Sequence, residues 1–161
     1  MDPRLRGERV EVERGIHAPR RSRQPAAGPA EHRGTGPAAR GREGRRYAWG
    51  EAFDPSRCIS FETHVRGPTP VGVFPGGDTP QGLADMCGNV FEWTGSLYRP
   101  YRYEAGDGRE NPDDGEGRRV VRGGSWLNNR QCARCAYRLN GGPGHRSIYL
   151  GFRVLCVSPI P

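Results

Sequence analysis

Residues 85–94 read DMCGNVFEWT, a stretch in which two carboxylates, Asp85 and Glu92, flank a Gly-Asn pair. Gly88 permits a tight backbone path, and the carbonyls of Gly88 and Val90 can turn inward beside the two acids. Carboxylate and carbonyl oxygens together are the donor mixture that a hard cation such as calcium takes, at about 2.3–2.6 Å. The same residues allow a structural role. Glu92 stands between Phe91 and Trp93 and is costly to bury unless a partner meets it. Backbone N–H groups or an arginine would serve. The residues alone leave both readings open.

Thiol chemistry is the next candidate. The cysteines are Cys58, Cys87, Cys132, Cys135 and Cys156, an odd number that argues against a closed disulfide framework. Cys132 and Cys135 form a CxxC, with no second CxxC or histidine pair at metal-site spacing. The run CARCAYR alternates as a strand does, which would send these two thiols to opposite faces. A metal or redox role is therefore not expected of the pair. Trp93, Trp126 and Phe152 are expected in the core. Arg122 and Arg153 are expected to brace loops by donating to backbone carbonyls. The run RPYRY, residues 99–103, reads either as a cation–π ligand patch or as a solvated loop anchor.

Short elements must position these groups. The chain of 161 residues holds 25 Gly and 15 Pro and is 34% hydrophobic, which suits one domain at most, rich in turns. ISFETHV and TPVGVF read as strands, the second ended by the turn PGGDTPQG. An acid-rich turn leads into a strand within LADMCGNVFEWT. GSLYRPYRYEAGDGRENPDDGEGR reads as a long polar loop. RRVVRGGSW is a strand closing on a Gly-Gly turn, CARCAYRL another, NGGPGHRS a turn, and IYLGFRVLCV the last strand. Little helix is expected. No apolar run approaches the roughly 20 residues of a membrane span, and no apolar signal core opens the chain. A cytoplasmic protein without membrane contact is expected.

The positive charge is uneven. Residues 1–46 carry 12 Arg and 6 acids, a balance of +6, and the rest carry 13 Arg and 12 acids, a balance of +1. An Arg-rich segment can bind phosphates without sequence preference, but no aromatic interleaves these arginines as a stacking platform needs. A specific nucleic-acid partner is not expected. Residues 1–37 lack large apolar residues after Ile16 and read as a disordered Arg/Gly/Pro/Ala-rich tail. The character changes at RRYAWGEAFDP.

In order and spacing, the motifs GLADMCGNVFEWT, RVVRGGSW, CARCAYR and LGFRVLC resemble the formylglycine-generating enzyme (sulfatase-modifying factor) family. REGRRYAWGEAFDP and TPVGVFP fit its preceding stretch. The resemblance covers residues 38–161 and implies an α+β, C-type-lectin-like fold of short strands in long loops, incomplete on its N-terminal side. The chain reads as the C-terminal part of a family member, with a shifted reading frame or a misplaced start accounting for residues 1–37. The resemblance implies calcium held by the side chains of Asp85 and Glu92 and the carbonyls of Gly88 and Val90. A second family calcium site uses an Asn where Ile59 stands, so that site is not expected.

The family's oxidases carry a cysteine two residues after the aromatic of the GGS-aromatic motif and another five residues later. The pair binds copper and converts a substrate cysteine to formylglycine. Here GGSWLNNRQCARC places Asn128 and Ala133 at those positions, with Cys132 one residue off as the remaining weak candidate. Copper(I) favours soft ligands that neither residue supplies, so copper is not expected. A second branch of the family takes non-haem iron on histidines of an added domain; His17, His32, His64 and His145 are scattered, and iron is not expected. The ending also resembles C-type-lectin-like ligand-binding proteins, including targets of diversity-generating retroelements. That likeness implies a binding face of Asn128, Asn129, Arg130, Arg134, Tyr137, Leu139, Asn140, His145, Arg146 and Tyr149 for a protein or peptide. The expected function is a domain of this family without oxidase activity. The alternatives are a ligand-binding module and an active oxidase.

Overall fold

The computed structural model describes residues 14–15 and 35–154. Five short strands form one sheet: β1 (Arg14–Gly15), β2 (Phe91–Leu97), β3 (Arg119–Arg122), β4 (Leu139–Gly141) and β5 (Leu150–Arg153), in the order β1-β5-β2-β3-β4. β2 pairs antiparallel with β3, placing Glu92 opposite Arg122, and parallel with β5, placing Glu92 beside Gly151. β3 and β4 are antiparallel, as are β1 and β5. The helix α1 (Thr35–Arg40) ends where Gly41 takes φ 63°, a left-handed position that glycine adopts without strain. Short 3-10 turns occupy Pro55–Arg57, Phe61–Thr63 and Pro75–Gly77. A small sheet with few helices makes this an α+β fold. Among the described residues no helix is long and apolar enough to cross a membrane. The expected disordered tail over residues 1–37 lies, apart from Arg14–Gly15 and the start of α1, outside the described residues.

Three expected strands are absent. ISFETH instead forms the Phe61–Thr63 turn, because Thr63 bonds back to Ser60: its hydroxyl accepts from the Ser60 N–H at 3.1 Å and its N–H donates to the Ser60 carbonyl at 3.1 Å. TPVGVF turns at Gly72 (φ 80°), whose N–H is taken by the Asp85 carboxylate at 3.0 Å. CARCAYRL is turned up to Leu139. Asn129 accepts the Gln131 N–H on its side chain and the Cys132 N–H on its carbonyl, and Arg122 donates to the Cys135 and Tyr137 carbonyls. In each segment side-chain bonds, local at Ser60–Thr63 and Asn129 and more distant from Asp85 and Arg122, take backbone groups that a ladder would use.

The core is small. Ala39, Tyr47, Ala48, Met86, Cys87, Ala133 and Cys135 cluster, with Trp49, Phe53 and Leu83 packed on them. Tyr47 stacks on Trp49 at 5.4 Å. Trp93, Trp126 and Phe152, expected as core, are only half-buried; Phe91 and Ile59 are the large enclosed side chains instead. Trp93 lies across Gly141, where a Cβ would overlap its ring. Two buried arginines organise the long polar loop. Arg119 donates to the carbonyls of Gly95, Asn111, Pro112 and Asp114, and Arg109 to those of Pro100 and Arg102 while pairing with Asp107 at 2.6 Å. A guanidinium has five donors, so it can replace the ladder that an irregular segment lacks.

Candidate functional site

Glu92 meets Arg153. The pair is bidentate, with Nε to Oε2 and Nη2 to Oε1 both at 3.0 Å, and Nη2 also reaches the Ala84 carbonyl at 2.9 Å. Glu92 is 2% exposed. Parallel pairing of β2 with β5 brings the two residues together.

The turn before β2 is drawn tight. Asp85, Gly88 and Asn89 take φ of 53°, 87° and 64°. A Cβ on Gly88 would overlap the Ile59 carbonyl oxygen, so only glycine fits there. Ile59 presents that carbonyl to the Asn89 N–H at 2.9 Å, and the Asn89 side chain bonds the Thr69 N–H and carbonyl, each at 3.1 Å. In kind, the four residues implied for calcium suit a hard cation. Asp85 and Glu92 are buried carboxylates, and the Val90 carbonyl lies 3.7 Å from where a Gly123 Cβ would stand. A carboxylate offers about four lone-pair positions, so a cation would share Glu92 with Arg153.

The GGSW turn sits against the Phe61–Thr63 turn. Asn128 accepts the Ser125 hydroxyl on its side-chain oxygen and the Phe61 N–H on its carbonyl at 3.0 Å; Glu62 accepts the Arg130 N–H at 2.9 Å and the Ser60 hydroxyl at 2.8 Å. Burial opposes ionisation of Glu62, but these donors together hold its carboxyl below the usual range. Ala133 is 1% exposed, its Cα 2.8 Å from where a Gly124 Cβ would stand.

The thiols find separate partners, though from a turn and not from a strand. Cys135 lies 3.9 Å from Cys87, which also accepts the Ala48 N–H. Half-buried Cys132 bonds the Tyr137 hydroxyl, which raises that phenol's pKa. Burial and the nearby Glu62 push Cys58 up to about 12. Among the described residues no three His, Cys, Asp or Glu side chains are gathered as a metal centre would need.

The implied binding face has exposed and half-buried members. Asn129, Arg130, Leu139, His145 and Arg146 are exposed; Asn128, Arg134, Tyr137, Asn140 and Tyr149 are half-buried. Tyr137 packs toward Phe91, His145 meets Tyr149 edge-on, and Asn140 accepts from Arg118 at 2.8 Å. Sequence reasoning missed the packing of Arg138 on Tyr98 and Tyr101. RPYRY was its only signal.

The fold and this turn define the class. The family model described as a sulfatase-modifying factor enzyme 1-like domain matches residues 31–157, and the chain belongs to that family. Among curated relatives, the serine/threonine-protein kinase pkn1 of Chlamydia caviae is 36% identical over 67% of this chain, the hercynine oxygenase of Mycolicibacterium thermoresistibile 34% over 68%, and the inactive C-alpha-formylglycine-generating enzyme 2 of Mus musculus 34% over 70%. The chain spans 17%, 26% and 37% of their respective lengths. Of solved structures, Treponema denticola variable protein 1 is similar with a TM-score of 0.63 and 25% identity, over 77% of this chain and 45% of that one. CarF shares the fold, with a TM-score of 0.55 at 24% identity over 78% and 44%.

Proposed function

We propose that this domain binds a protein or peptide ligand on a C-type-lectin-like scaffold and lacks the copper-dependent cysteine oxidase activity. The reading rests on the GGSW turn. Asn128 stands where the oxidases' first cysteine would, its amide oxygen accepting the Ser125 hydroxyl, and the second position is the enclosed methyl of Ala133. Thiolate is the form of cysteine that attacks and that binds metal, and neither side chain supplies one. The likeness to an inactive formylglycine-generating enzyme 2 and to a variable protein supports the same reading. Calcium, held by Asp85, Gly88, Val90 and Glu92, would serve to fix the turn before β2.

Mass spectrometry of a cysteine-containing sulfatase peptide, incubated with the protein, copper(I) and oxygen, is expected to show no conversion of thiol to aldehyde. Conversion that Cys132→Ser abolishes would return the domain to the oxidases.

A further inference from the structure

Most of the well-anchored arginines spend their donors on protein oxygens: Arg109, Arg119, Arg122 and Arg153 all bond carbonyls or carboxylates. Arg138 is anchored differently. Its guanidinium carbon lies 4.4 Å from the Tyr98 ring centroid and 4.0 Å from that of Tyr101. Both rings are exposed, at 41% and 66%. Among the described residues no oxygen takes an Arg138 N–H, so the ring contacts hold the group while its in-plane donors stay available. Stacking on aromatic faces fixes a guanidinium without using its hydrogen bonds.

A second arginine reaches β4. Asn140, in β4 two residues beyond Arg138, accepts the Arg118 guanidinium on its side-chain oxygen at 2.8 Å. The segment from Arg138 into β4, the edge strand, thus carries a guanidinium stacked on two phenols and, at Asn140, a bond to a second arginine. A planar fork held in advance matches the two oxygens of a carboxylate, and less side-chain entropy is lost on binding.

We propose that Arg138, held by Tyr98 and Tyr101, is a binding fork for a carboxylate of an acidic peptide partner. This goes beyond the ligand-binding reading by naming the group recognised, and it does not depend on the oxidase question.

Titration with a hexaglutamate peptide at constant ionic strength, followed by the NMR signal of the Arg138 Nε–H, tests it. A saturable shift is expected, with none from hexaglutamine. Arg138→Lys keeps the charge and loses the fork; it should bind about tenfold more weakly, the scale of one charge-assisted hydrogen bond, at an unchanged melting temperature. Tyr98→Leu with Tyr101→Leu should weaken binding in the same direction. Arg66→Lys, at an exposed arginine elsewhere, should change nothing. Undiminished binding by Arg138→Lys would overturn the proposal. So would an equal loss in Arg66→Lys, which would mean that any exposed guanidinium serves as well as the stacked one. Displacement of the peptide by inorganic phosphate at equal concentration would overturn the assignment to a carboxylate.

Discussion

Arg153 closes on Glu92 through two N–H···O bonds of 3.0 Å, with side chains 12% and 3% exposed. Removing one partner of such a pair leaves a buried charge alone, at a cost of about 3–5 kcal/mol, whereas replacing both with apolar groups is often neutral. Chemical denaturation should therefore show Arg153→Met destabilised by about that much, and the double variant Arg153→Met, Glu92→Leu largely recovered.

Calcium at the turn before β2 would add stability by mass action, since it binds the folded state. Chelator should lower the melting temperature of the wild type. Asp85→Asn should remove that sensitivity while leaving the Glu92–Arg153 pair in place, because Asn tolerates the left-handed backbone at φ 53°. Identical melting with and without chelator would leave the turn to hydrogen bonding alone.

The cysteines should differ sharply in reactivity. Cys58 is 1% exposed with its thiol pushed up to about 12 by burial, and Cys87 is 1% exposed and raised by its contact with Cys135 and by burial. Brief alkylation at pH 8, read by peptide mass spectrometry, should label Cys132 first among the described cysteines. Cys58 should label only after unfolding.

Acid should loosen the loops. The folded-state values of Asp54 and Asp107 are lowered, chiefly by the Ser56 and Arg109 side chains, and that of Glu62 is lowered by the Arg130 N–H and Ser60 hydroxyl against the effect of burial. Groups lowered on folding add stability above their unfolded values, near 4, and lose it as pH falls through the folded ones. Melting temperature should fall between pH 5 and 3, and Glu62→Gln should flatten that fall.

That Glu92 needs a partner is legible, because burial of a carboxylate between aromatics demands one; that Arg153 is the partner is not, since its expected role as a loop brace names only backbone carbonyls. The strands of β2, β3 and β5 were legible from their apolar content and bounding glycines. ISFETH was not, since its Ser60–Thr63 bonding looks like β-rich composition until the hydroxyls are placed. CARCAYRL failed for the same kind of reason: Asn129 and Arg122 take its backbone groups, and only the second of these partners is distant. Arg138 escaped because its rings lie some forty residues back (Tyr98 and Tyr101), beyond any periodicity a sequence displays.

The strand that completes the sheet's centre comes late. β5 lies between β1 and β2, and Arg153 follows Glu92 by 61 residues. A ribosome adding about 5–20 residues per second takes about 3–12 s over that distance. For that interval the nascent Glu92 lacks Arg153, and β2 has no parallel neighbour. Synthesis itself therefore sets the earliest moment at which the Glu92–Arg153 pair can form and β2 can gain β5 as its neighbour.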